Sequence, residues 1–110
     1  MKFYIQFPCP FPFTDLTLTK LRPALVIHES ENDVILAFIT LKIPTKISDT
    51  DVLLTKEHPS FGKTGLKTDS LIKLDKVVTV LKDLIVGEIG EIDDTLRDEI
   101  NAKLQKIFKL

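Results

Sequence analysis

At 110 residues, with 44% hydrophobic and 28% charged residues, the chain has enough apolar material for one core and too little length for two, and its composition excludes a disordered chain. A net charge of -1 excludes the strongly basic footprint of a protein that tracks a long nucleic-acid duplex, and no apolar run is long enough for a membrane-spanning helix. All 110 residues read as a single domain.

The chain opens with KFYIQF, whose aromatic and branched residues favour a strand over residues 2–7. Pro8, Pro10 and Pro12 then force an extended path that no central strand can use. They also interrupt the apolar start, and no small-residue cleavage site follows, so a cytoplasmic protein without a secretory signal is expected. Cys9, the only cysteine, sits between two of these prolines and leaves no partner for an intrachain disulfide or a thiolate zinc cluster. It reads as a small packing residue, since nothing beside it would make a thiolate.

Residues 16–20 form a threonine-rich connection. The apolar run of residues 22–28 predicts a buried strand, and ESEND after it is a turn by composition, leading to a second strand over 34–42. Pro44 ends that strand, and a short one is expected over 51–54. Residues 55–69, with two glycines, a proline and many polar groups, predict an exposed, mobile loop. Branched apolar residues around Asp75 and Lys76 predict a long strand over 71–81 with a kink, and Gly87 and Gly90 flank a short strand near Glu88 and Ile89.

The period then changes. Leu96, Ile100, Leu104, Ile107 and Phe108 fall on one helical face, with Asp93 as N-cap, acids in the first turn and lysines toward the end. A helix over 94–109 follows. The spacing of elements is that of a mainly β, small barrel with a C-terminal α-helix.

Charge is unevenly spread. Residues 1–82 carry eleven Lys or Arg against nine Asp or Glu, and residues 83–110 carry four against seven. A local basic groove is therefore compatible with the acidic total, with few phosphates contacted.

Arg22-Pro23 fixes one guanidinium at the mouth of a buried strand, a suitable anion contact because arginine is planar, always charged and able to bond phosphate twice. The plainer reading is a structural ion pair at a strand start. His28 and His58 are the only histidines and lack metal-ligand spacing. No P-loop, dinucleotide-binding turn or nucleophile elbow is present, so neither a metal nor a cofactor is expected. Phe3, Tyr4, Phe7, Phe11 and Phe13 read as core aromatics, with base stacking as the alternative.

Four runs in order, FPFTDL, KLRPALVI from Lys20, AFIT from Ala37 and LIKLDKVVTV from Leu71, together resemble the PemK/MazF family of toxins from type II toxin-antitoxin systems. The chain departs from the family pattern in lacking the usual Gly-Asp start, in its shorter residue 15–20 connection and in having Leu41 after the threonine.

The resemblance implies an SH3-like barrel of PemK/MazF/CcdB type, a homodimer, and a metal-independent, sequence-selective endoribonuclease acting on single-stranded RNA and restrained by a cognate antitoxin protein. By the same resemblance Arg22 and Thr40 match the catalytic pair, Arg22 on the scissile phosphate and Thr40 on a phosphate oxygen. The products would be a 2′,3′-cyclic phosphate and a 5′-hydroxyl.

Arginine is a poor proton acceptor near neutral pH, which leaves the general base open and favours charge stabilisation for Arg22. Asp15 is a candidate to orient it, or a turn aspartate bonded to its own backbone. His28 is a candidate proton carrier if its strand end turns toward the groove. Lys20, Lys42 and Lys76 border strands that would line one RNA groove, with solvated surface lysine as the alternative. On the same fold a CcdB-like gyrase-binding toxin, or an interaction barrel without catalysis, are the rival readings.

Overall fold

A computed structural model describes residues 2–6, as backbone, and residues 22–109. Cys9, the proline-rich stretch, the residue 16–20 connection, Asp15, Lys20 and the side chains of the five N-terminal aromatics lie outside the described residues.

Six strands make one sheet: β1 Lys2–Gln6, β2 Arg22–Glu29, β3 Asp33–Thr40, β4 Asp51–Leu54, β5 Ser70–Leu81 and β6 Ile85–Glu91, followed by helix α1 Asp94–Ile107. Their order is β4-β5-β3-β2-β1-β6, and every pairing is antiparallel. The sheet curls into a half-barrel, and Gly65, between β4 and β5 at one edge, meets Ile89 and Gly90 of β6 at the other. The mainly β barrel with a C-terminal helix expected from the sequence is the fold observed.

The continuous apolar run of β2 is explained by burial on both faces. Ala24 and Val26 join Val34, Leu36 and Val80 in one cluster. Leu25 joins Ala37, Ile39, Ile72, Leu74, Val52 and Leu54 in the other, onto which α1 lays Leu96 and Ile100. Each of those two helix residues is fully buried, worth roughly 1.5–3 kcal/mol apiece. Asp93 caps α1, its side chain accepting from the Leu96 N–H at 3.0 Å. No helix among the described residues is long and apolar enough to cross a membrane.

The kink in β5 is a bulge. Lys73 pairs with Phe38 and Val77 with Ala37, so Leu74, Asp75 and Lys76 have no partners on β3. The odd number of extra residues shifts the phase: Leu71 and Lys73 share the face of Phe38 before the bulge, and Val78 and Val80 share the face of Leu36 after it.

Several details differ from expectation. β3 stops at Thr40, two residues early, where a tight local turn takes over. Gly87 and Gly90 lie inside β6, where the pairing with β1 skips Val86 and Ile89. Phe108 is not on the packed helix face: α1 ends before it, and the side chain is 61% exposed.

The largest difference concerns residues 55–69, which are exposed over much of their length, as expected, but are anchored to the core at three buried positions. Ser60 and Thr64 are fully buried and Leu66 nearly so. A short 3-10 turn, Phe61–Lys63, sits in the middle. Its polar residues satisfy the local backbone: the Thr64 hydroxyl donates to the Phe61 carbonyl at 2.7 Å and accepts from the Leu66 N–H at 3.1 Å.

Candidate functional site

Pairing of Ala24 with Phe38, continued two residues further, brings Arg22 at the head of β2 level with Thr40 at the tail of β3. Strand alternation gives both the same face. At this end of the sheet a hollow of about 270 Å³ is lined by Phe38, Thr40, Lys42, Pro44, Lys73 and Lys76. Three of the sequence-predicted residues, Thr40, Lys42 and Lys76, therefore meet around one concavity, with Arg22 beginning its strand beside it. Lys76 reaches the hollow because it belongs to the β5 bulge.

The Thr40 hydroxyl is already engaged locally. It accepts from the Lys42 N–H at 3.2 Å and donates to the Lys42 carbonyl at 3.3 Å. An incoming anionic oxygen would take over the donated hydrogen while the accepted bond kept the oxygen aimed.

His28 is not brought to this site. β2 continues through Glu29, with a pairing irregularity between Val26 and His28, so His28 lies six positions along from Arg22, roughly 20 Å at strand rise. The strand does not turn back toward the groove, and the condition for a proton-carrying His28 is not met within the chain. Asp15 and Lys20 fall outside the described residues.

Lys73 is the residue that sequence reasoning missed. Its ammonium lies 3.3 and 3.4 Å from the two carboxylate oxygens of Asp51, which is almost completely buried. Asp51 also accepts from the Ser48 N–H at 3.1 Å. Its carbonyl takes the Lys103 ammonium of α1 at 2.7 Å, and the same ammonium holds the Asp49 carbonyl at 3.1 Å. A lone lysine inside the otherwise apolar LIKL run was the available signal.

His58 belongs to a separate polar cluster on the helix side. Its Nδ1 accepts from the Ser60 N–H at 3.0 Å, which leaves Nε2 to carry the hydrogen directed at Glu99, 3.3 Å away. The Ser60 hydroxyl donates to Asp93 at 2.6 Å. That bond, with the Leu96 N–H and the nearby positive charge of Lys63, lowers the Asp93 pKa. With Ser60 fully buried and its hydroxyl committed to Asp93, the arrangement braces the 55–69 segment against α1 and offers no exposed nucleophile.

Comparison with known proteins agrees with the fold. No curated protein sequence matches the chain. Among solved structures, the Mycobacterium tuberculosis toxin MazF-mt6 superposes with a TM-score of 0.73 at 18% identity, covering 100% of this chain and 98% of that one. An endoribonuclease in complex with its cognate antitoxin, from a mycobacterial species, gives 0.68 at 18% identity, covering 99% and 92%. A further mycobacterial endoribonuclease gives 0.64 at 20% identity, covering 96% and 88%. The family model for the PemK-like, MazF-like toxin of type II toxin-antitoxin systems matches residues 8–108. With that match running from the proline-rich segment to the end of α1 and taking in the Arg22–Thr40 end of the sheet, the chain belongs to the PemK-like, MazF-like toxin family.

Proposed function

We propose that the protein is a sequence-selective, metal-independent endoribonuclease toxin that cleaves single-stranded RNA, in keeping with mRNA as a cytoplasmic target, and is neutralised by a cognate antitoxin. The observation that carries this reading is the convergence of Thr40, Lys42, Lys73 and Lys76 on one hollow, beside the strand that Arg22 begins. Family membership and the endoribonuclease neighbours support it over the gyrase-binding alternative.

In the proposed reaction the substrate's 2′-hydroxyl loses its proton and attacks the adjacent phosphorus while the bond from phosphorus to the 5′-oxygen breaks. The products are a 2′,3′-cyclic phosphate and a 5′-hydroxyl, the latter taking up a proton. Charge accumulates on the non-bridging oxygens of the phosphorane, where the Arg22 guanidinium and the Thr40 hydroxyl act as donors. Both would act chiefly by stabilising that charge, since arginine is too weak an acid near neutral pH to shuttle protons readily.

The protein would work as a homodimer, with RNA in a groove between or beside the protomers. The antitoxin would be an acidic, partly disordered chain that folds over this groove, in keeping with the antitoxin complex formed by one structural neighbour.

The test is cleavage of a long single-stranded RNA by purified protein in EDTA, with product ends mapped and Arg22→Ala and Thr40→Ala run alongside. Cutting at a few sites with cyclic phosphate ends, lost in both variants, supports the assignment. Equal inertness of folded, antitoxin-free wild type and variants on varied RNAs overturns it.

A further inference from the structure

A lysine in the middle of a central strand is an uncommon choice, because the position normally packs an apolar side chain and a buried ion pair gains little over one. Lys73 occupies such a position, with β3 on one side and β4 on the other. Its side chain keeps 24% of its surface, and it helps to line the hollow. Asp51 is fixed by Ser48 and, through its backbone, by Lys103, so the carboxylate is a rigid anchor for the ammonium.

The anchoring does not use up Lys73. Its nitrogen lies 3.3 and 3.4 Å from the two Asp51 oxygens, so even with one N–H on each of them a third remains for a second acceptor. Lys42 and Lys76 stand at the same hollow but are exposed to water. Lys73 differs from them in being held at one place and partly withdrawn from solvent, where screening by salt is weaker.

The geometry points to Lys73 as a phosphate-contacting residue of the hollow, aimed by Asp51, for a backbone phosphate of single-stranded RNA; this rests on the ribonuclease reading above. Asp51 is a positioning residue: it touches the ammonium and not the RNA. Three ammonium groups against one carboxylate leave the hollow cationic in a chain whose total charge is -1.

The experiment measures the affinity of a single-stranded RNA with 2′-deoxy substitution at its cleavage site, as a function of salt. Proteins compared are wild type, Lys73→Gln, Lys73→Arg, Asp51→Asn, the double variant Asp51→Asn/Lys73→Gln and Lys106→Gln, with thermal melting of each. The double variant replaces both charges, so a fold disturbed by leaving Asp51 unpaired does not decide the result.

Loss of one phosphate contact should weaken binding about tenfold and reduce the slope of log K against log salt by about 0.7 in Lys73→Gln and in the double variant. Lys73→Arg should restore the slope, and Lys106→Gln, on the exposed side of α1, should match wild type. Asp51→Asn alone should weaken binding while retaining the slope, a split that a merely structural aspartate would not produce. If wild type binds and the folded double variant binds equally well with the same slope, Lys73 has no phosphate contact. If wild type itself fails to bind any of several single-stranded RNAs, the ribonuclease reading falls and this assignment with it.

Discussion

Gly65 and Gly90 meet backbone to backbone, although one precedes β5 and the other lies in β6. Gly65 has a φ of 75°, and a Cβ placed there would overlap the Ile89 carbonyl and come within 3.4 Å of the Gly90 nitrogen. A Cβ on Gly90 would in turn overlap the Thr64 carbonyl group. Gly65→Ala and Gly90→Ala should each destabilise the protein by about 2–4 kcal/mol, because backbone must shift to admit the methyl group. Gly62→Ala, with open space around its Cβ direction, should stay within about 0.5 kcal/mol of wild type. Urea unfolding of the three variants checks the contrast.

Helix docking gives a second prediction. Ile100 is fully buried between α1 and the sheet, so Ile100→Ala should cost about 2–5 kcal/mol. Phe108→Ala, at a side chain left mostly in solvent, should cost less than about 0.5 kcal/mol. Equal losses in denaturant unfolding would contradict the placement of the helix end.

Arg22 and Thr40 should separate by magnitude. Removing a charged donor to a developing phosphorane should lower the cleavage rate roughly 100- to 1000-fold in Arg22→Ala, with little change in melting temperature. Thr40→Ala should lower it roughly 10- to 100-fold, since a neutral hydroxyl stabilises the same charge less. Single-turnover rates at saturating protein measure both.

The acid side of the stability curve should report on Asp93. Its pKa is lowered by the Ser60 hydroxyl bond first and the Leu96 N–H second. A carboxyl whose folded pKa lies below its unfolded one stabilises the fold fully above the ordinary value of 3.8 and loses that contribution as pH falls through the folded value. Wild type should therefore melt higher than Asp93→Asn near neutral pH, and the gap should close on acidification below about pH 3.8. A gap that persists unchanged into strong acid would remove Asp93's charge from the account.

Much of the architecture was legible because each element carried a local signal. The 51–54 strand, the kink around Asp75 and Lys76, and the Asp93 cap follow from alternation, interruption and capping chemistry, and all are seen. The anchoring of the 55–69 segment was not legible because the Ser60 and Thr64 hydroxyls look solvated by composition, while in the fold they bond to Asp93 and to the Phe61 carbonyl. Thr40 stood out through the AFIT run and Lys42 and Lys76 through their places at strand borders, and the fold brings the three to one hollow. The Lys73–Asp51 pair was not, because its members are 22 positions apart and only strand pairing brings them together.

The bulge in β5 separates two tasks that a regular strand would bind together. Leu71 and Ile72 on one side of it and Val80 on the other are locked into the core, whereas Asp75 and Lys76 within it are exposed. Substitution of Lys76, which lines the hollow, alters its rim without asking any core side chain to move. Change in the lining of the hollow can accumulate there while the scaffold stays the same.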